Sequence, residues 1–260
     1  MNSEDRDTAA QWDDFATEYY AMQQADSLPL ASSVEQWLSV QKILPAAQVL
    51  DLGSGAGRFS PMLAQHAQQL TITDISGEML DFAQLELHRQ GLTATTVQLP
   101  WDKFYRQPRH QYDVIFAHMA PFLQVDDFPR LAALLTPTGV FVLSRIVGRT
   151  DVIFDQFLAA FPTLRVDYVV ESPDILQQWQ TKGRQDGWSQ RHTQLTFDYS
   201  EEIDRDFLQD ELAPLLTVSQ QNDLLVMLDR IFQRRATIMT HKTLTLGIVA
   251  FTLTGGHFRL

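Results

Sequence analysis

The sequence predicts an α/β fold: a doubly wound, mostly parallel sheet of about seven strands, with helical additions at the N-terminus and in the C-terminal half. Three observations carry this. Short apolar runs alternate with helical periodicities from about residue 45 to residue 160. A glycine-rich turn, Gly53-Ser54-Gly55-Ala56-Gly57, follows the first of those runs. No stretch rich in glycine, serine or proline divides the chain. Strands that alternate with helices call for right-handed crossovers and helices on both sheet faces. At 260 residues and 45% hydrophobic content the chain buries a full core without a metal or disulfide staple.

The elements follow in order. Residues 12 to 44 read as helices, with Trp12, Phe15, Ala16 and Tyr19 on one face. Val49 to Leu52 is a short buried strand that stops at Gly53. Phe59, Met62, Leu63, His66 and Ala67 then trace a helical face. A second strand runs from Leu70 to Ile75, and Ser76 caps a helix carrying Met79, Leu80, Ala83 and Leu87, closed by Gly91. Strands are expected at 95–99, 112–117 and 140–144, with a helix over 128–135 that closes at Thr136-Pro137-Thr138-Gly139 and another over 151–160. Residues 165–190 read as irregular and carry Trp179 and Trp188. Leu195, Phe197 and Tyr199 alternate as in a strand; helices over 201–212 and 219–235 and a last strand over 244–253 complete the chain.

Composition excludes several chemistries. The chain has no cysteine, which removes disulfides, thiolate zinc sites and cysteine nucleophiles. No His/Asp/Glu grouping has ligand spacing, so no metal is expected. The acidic start MNSEDRDTAA predicts no signal peptide, and the LTLGIVAFTL run is too short for a bilayer span. A cytoplasmic protein with no membrane association is the expectation. The formal net charge of −12 argues against nucleic acid or anionic lipid as a partner. Two basic clusters, Lys103/Arg106/Arg109 and Arg230/Arg234/Arg235, read as solvated faces.

The glycine turn narrows the ligand. A dinucleotide loop needs Gly-x-Gly-x-x-Gly/Ala opening a helix toward a pyrophosphate. Counted from Gly53 the third slot is Arg58, and counted from Gly55 it is Ser60, so neither register fits. The pattern is acid-x-Gly-x-Gly-x-Gly, with Asp51 two residues before Gly53. An acid there suits a ligand whose nearby portion is cationic and carries no phosphate.

On these residues the sequence resembles the class I S-adenosylmethionine-dependent methyltransferases, in the branch written as methyltransferase domain type 11 or 25. VLDLGSGAGRFS at 49–60, TITDISGEMLDFA at 71–83, QYDVIFAHMAPFL at 111–123 and LLTPTGVFVLSR at 134–145 fall in the family's order and separation. The resemblance implies a Rossmann-like sheet whose last strand is antiparallel, with S-adenosylmethionine as cofactor. It implies one domain over 1–260: an N-terminal helical cap (1–44), a cofactor-binding core (45–162), substrate-side helices (163–240) and a final strand (241–260). It further implies that Asp51, Gly53, Ser54, Gly55 and Gly57 line the methionine part, and that Asp74, with Ile75 and Met79 beside it, accepts both ribose hydroxyls. Trp101 and Asp102 fall in the adenine region, and His118 falls near the methionyl end as the one candidate for a catalytic side chain.

Each has a plainer alternative. Asp51 caps the glycine turn, Asp74 caps the next helix, Trp101 packs, and His118 is a satisfied histidine at the rim of a strand. Tyr19, Tyr20, Phe122 and Arg145, together with Trp179 and Trp188, are candidates to line the acceptor pocket; Arg145 pairs either with a substrate carboxylate or in a surface ion pair. The Asn/Asp-Pro-Pro-aromatic motif is missing from Ala117-His118-Met119-Ala120-Pro121-Phe122, which leaves a small molecule as the expected acceptor and a monomer or homodimer as the expected assembly. The rival reading is a nucleotide-binding protein without methyl transfer; an NAD-dependent oxidoreductase is disfavoured by the glycine spacing.

Overall fold

The protein is described by a computed structural model over residues 3–107, 111–164 and 174–253. Arg109, the start of the stretch expected to be irregular, and the end of the final strand lie outside the described residues. Contacts divide the chain into two compact units, Met1–Arg145 with Asp174–Thr193 and Gly247–Leu260, and Ile146–Pro173 with Gln194–Leu246. A seven-stranded sheet with order β3-β2-β1-β4-β5-β7-β6 runs through the described residues.

In the first unit, two helices, α1 (Ser3–Ala25) and α2 (Leu30–Val40), precede the sheet. Then come β1 (Ala46–Leu52), α3 (Ser60–His66), β2 (Ala67–Asp74), α4 (Gly77–Arg89), β3 (Thr95–Gln98), the one-turn α5 (Trp101–Phe104), β4 (Tyr112–His118) and α6 (Phe128–Leu134). β1 pairs in parallel with β2 on one side and β4 on the other, while β3 joins β2 in parallel. Strand order therefore reverses between β1 and β4, and the crevice beyond their carboxyl ends is where such sheets take ligands. Ser76 caps α4 as expected, its Oγ accepting from Met79 N at 3.0 Å.

β5 (Leu135–Asp151) is longer than the expected strand. Its register against β4 jumps from Tyr112↔Leu135 to Val114↔Val140, so Thr136-Pro137-Thr138-Gly139 bulges within the strand and does not separate it from α6. A Cβ on Gly139 would lie 2.8 Å from the Tyr112 carbonyl oxygen, which holds that bulge to glycine. α8 (Ile175–Gln185) and the start of β6 (Trp188–Asp204) bring Trp179 and Trp188 into this unit. Both are buried: the Trp179 ring lies 5.2 Å from Phe128 and 5.7 Å from Phe141, and the Trp188 ring 5.1 Å from Phe128. These two tryptophans are core residues.

In the second unit, α7 (Phe154–Ala160) starts three residues later than expected because Asp151 accepts the Ile153 and Phe154 N–H groups and the Thr240 hydroxyl (2.6–3.0 Å). α9 (Arg205–Leu212) likewise waits for its cap, Asp204, which accepts from Phe207 N. α10 (Val218–Phe232) opens on a Thr217/Gln220 capping box. Their inner faces, Leu208, Leu212, Leu224, Leu228 and Phe232, close on Phe157, Phe161 and Leu164. The last strand, β7 (Thr237–Leu253), begins earlier than the hydrophobic run suggested. Val152 N bonds His241 O, Thr150 faces Thr243, and Thr196 faces Thr245 while Ser200 faces His241. One number falls as the other rises, so β7 is antiparallel to both neighbours, as expected for the last strand.

Candidate cofactor and active site

The glycine turn is pinned from within. Gly53 and Ser54 N–H donate to the Thr73 carbonyl (2.8 and 2.9 Å), Gly57 N–H to the Ser54 carbonyl (3.0 Å), and Gly55 N–H to Asp74 Oδ2 (3.0 Å). Four N–H groups of the turn are thus used inside the protein and are not offered to a phosphate. All three glycines hold positive φ (71°, 52° and 83°). Their surroundings differ: a Cβ on Gly57 would meet Ala83 Cα at 2.7 Å, so that glycine serves α4 packing, whereas at Gly55 the nearest atom is Tyr19 Cε1 at 3.8 Å. Gly55 alone of the three has room for a Cβ.

The two acids stand on either side of the turn. Asp51, on β1 beside Ile72 and Phe116, is 3% exposed and accepts the Ser60 hydroxyl at 2.6 Å. Burial raises its carboxyl to about 7, with Ser60 pulling it down and the Asp74 charge adding to the rise. Asp74, at the end of β2, takes Ser76 N–H on Oδ1 and Gly55 N–H on Oδ2, both at 3.0 Å. Its pKa is also raised, chiefly by burial, against those backbone donors. The Ile75 N–H is a third donor, and since a carboxylate offers about four lone-pair sites, room is left for another. Ile75 and Met79 follow directly, Met79 buried with Ala16 and Ala56.

Helix α1 contributes groups that the helical periodicity did not mark. Asp13 Oδ1 accepts the Ser76 hydroxyl (2.6 Å) and Glu78 N–H (3.2 Å), Gln23 Nε2 donates to the Ala56 carbonyl (3.3 Å), and Asp26 pairs with Arg58 at 2.7 Å. Tyr19 lies against Gly55 with its hydroxyl pKa raised by burial, Arg58 opposing and Asp74 adding. Tyr20 is committed elsewhere: its ring stacks on Phe82 at 4.4 Å and its hydroxyl meets Glu86. The sequence signal was available only as polar residues on the second face of α1, with partners more than 30 positions away.

Phe122 leans on the turn, since a Cβ at Gly53 would collide with its Cε1 at 2.8 Å, and its ring is 39% exposed. Trp101 is buried, 6.5 Å from the Phe122 ring and 5.5 Å from Tyr105, while Asp102 is exposed. His118 ends β4 with Nδ1 3.1 Å from Ser144 Oγ and its ring 4.6 Å from Phe59. Arg145 sits inside β5, 2% exposed, donating to the Ala120 carbonyl at 2.6 Å. It is a buried residue, not a surface one. Burial, with the positive charges of Arg58 and then Arg145, lowers His118 to about 3. The neutral imidazole costs nothing above its unfolded pKa of 6.5, and the fold loses stability as pH falls from there toward 3. We expect His118 to stay uncharged in NMR titrations down to about pH 4, and the pH–rate profile to lack a limb near 6.5 from this side chain. A His118 imidazole titrating near 6.5 would contradict the site's electrostatics.

With this geometry in view, the sequence matches the methyltransferase domain family over residues 49–139. Comparison with curated proteins finds no match. Among solved structures, it is similar to a putative type II methyltransferase from Anaeromyxobacter dehalogenans, at 16% identity and a TM-score of 0.55 over 84% of this chain and 94% of that one. It is similar to magnesium protoporphyrin IX methyltransferase from Synechocystis PCC 6803, solved with bound S-adenosylhomocysteine, at 14% identity and a TM-score of 0.54 over 95% and 99%. It is also similar to precorrin-8w decarboxylase from Methanobacterium thermoautotrophicum, at 14% identity and a TM-score of 0.51 over 87% and 93%. These likenesses, at 14–16% identity, are likenesses of fold. Residues 49–139 are a methyltransferase domain, carried on a Rossmann-like sheet.

Proposed function

We propose that this protein transfers the methyl group of S-adenosylmethionine to a small-molecule acceptor by in-line displacement, with catalysis supplied by positioning. The observation that supports the reading best is the state of the turn: four of its N–H groups are spent on Thr73, Ser54 and Asp74, and the Asp74 carboxylate stands beside Gly55, the one glycine of the three with room for a Cβ. Asp51, Gly53, Ser54, Gly55 and Gly57 would surround the methionine part, Asp74 would take a ribose hydroxyl through its remaining lone pair, and Ile75 and Met79 would pack beside them. Trp101 and Asp102 would border the adenine, and His118 would stand at the methionyl end as a neutral polar group. Tyr19, Phe122 and Arg145 are the acceptor-side candidates; Tyr20, tied to Phe82 and Glu86, would support Tyr19 from behind.

Bound there, the cofactor's sulfonium supplies an already activated methyl group. The chain's task is then to hold the acceptor atom in line at near-attack distance and keep water out. His118 is too weak a base to take a proton. Among the described residues no helix is long and apolar enough to cross a membrane, and a cytoplasmic location is part of the same reading.

The test is a thermal-shift comparison. Millimolar S-adenosylmethionine or S-adenosylhomocysteine is expected to raise Tm by several degrees, following RT ln(1 + [L]/Kd), while NAD leaves it unchanged. A shift with NAD, or none with either sulfur nucleoside, overturns the reading.

A further inference from the structure

A row of rings leads away from the glycine turn. Phe122 rests on Gly53 and is 39% exposed. Trp101 follows at 6.5 Å and Tyr105 at 5.5 Å beyond it. The last ring is flanked by two guanidinium groups, Arg130 at 4.7 Å and Arg106 at 5.3 Å from its centroid. Two further facts make this more than packing. The Trp101 ring is 8% exposed, yet its Nε1 is buried with no hydrogen-bond partner, a donor whose desolvation is uncompensated. In a chain of net charge −12, two arginines gathered on one tyrosine run against the overall field.

Resting on the methyltransferase reading above, we propose that the acceptor is a flat aromatic or conjugated molecule bearing an anionic group. Its rings lie along the exposed Phe122, and its anion meets Arg106 and Arg130 at the Tyr105 end. Both guanidinium groups lie within cation–π range of the Tyr105 ring, and the planar fork of an arginine suits bidentate contact with a carboxylate. Arg106 is exposed and bonds the Tyr105 hydroxyl through Nε (3.0 Å), which leaves its terminal nitrogens for the ligand. Arg130 pairs with Asp127 at 2.5 Å through Nη1 and would share its other edge.

The probe is 2-naphthoate, set against the neutral 2-naphthalenemethanol, titrated into protein saturated with S-adenosylhomocysteine. The carboxylate is expected to bind at least about tenfold tighter than the alcohol, one charge-assisted contact being of that size. It should also move the Trp101 indole N–H signal, assigned by its loss in Trp101→Phe. Arg106→Gln with Arg130→Gln should erase the preference while leaving the S-adenosylhomocysteine thermal shift intact, which separates this proposal from the cofactor assignment. Equal binding of the two probes, an unmoved indole signal, or a preference that survives in the double variant overturns it.

Discussion

Asp74→Ala is expected to weaken S-adenosylhomocysteine binding by at least about tenfold, because a hydrogen bond to a charged acceptor contributes about 1.5–3 kcal/mol. The substitution does a second thing. Asp74 also holds the N–H groups of Gly55, Ile75 and Ser76, so its loss frees the turn from β2 and leaves three donors to water. The two effects separate by measurement. Loosening of the turn lowers the Tm of the cofactor-free protein, whereas ribose recognition appears in a cycle with a 3′-deoxy analogue. The wild type should lose affinity for the analogue, and Asp74→Ala should lose little more. If Asp74→Ala binds S-adenosylhomocysteine as the wild type does, or penalises the analogue equally, the carboxylate only braces the loop and the ribose assignment fails.

How far this site was legible in the sequence depended on the range of the interactions that make it. The strand, turn and helix from Val49 to His66 are local: apolar runs, positive-φ glycines and a following periodicity all fall within a short window, and the structure has β1, the turn and α3 there. Asp51 and Asp74 were readable because strand ends fix their place. The second-unit helices began late for an equally local reason missed in the sequence: Asp151 and Asp204 are caps, so the residues before α7 and α9 are not helical. Illegible were groups whose partners are distant in the chain. From a helix whose apolar stripe gave no hint of it, Gln23 bonds the turn at Ala56 and Asp13 bonds Ser76 at the start of α4, while Arg58 points back to Asp26 just past that helix. The bulge at Thr136-Pro137-Thr138-Gly139 read as a turn because proline and glycine mark both, and only pairing with β4 distinguishes them. Trp179 and Trp188 looked available since large aromatic rings suit pockets and cores alike; burial against Phe128 decided for the core.

Cofactor affinity should also fall steeply as pH drops below 7, and the reason lies in Asp51. With no ligand its carboxyl is raised to about 7 by burial, so near neutrality it is only half ionised. In the proposed reading the cofactor's ammonium lies at this corner; a cation there favours the carboxylate and pulls the pKa back down. Binding below pH 7 must then release a proton, and affinity should be about tenfold lower at pH 6 and about a hundredfold lower at pH 5 than at pH 8. Calorimetry in two buffers of different ionisation enthalpy reads that proton directly. The sign for the unliganded protein is opposite. A folded pKa raised above 3.8 means that the stability owed to the neutral form is fully present below about pH 4 and lost as pH rises through about 7. Asp51→Asn keeps an acceptor for Ser60 and removes the buried charge, so it should raise the Tm of the free protein at pH 8 while flattening the pH dependence of binding. The turn thus trades stability of the empty state for attraction to a cation. A binding constant level from pH 8 to pH 5 in the wild type would move the ammonium away from Asp51 and leave that carboxylate as a cap on the glycine turn.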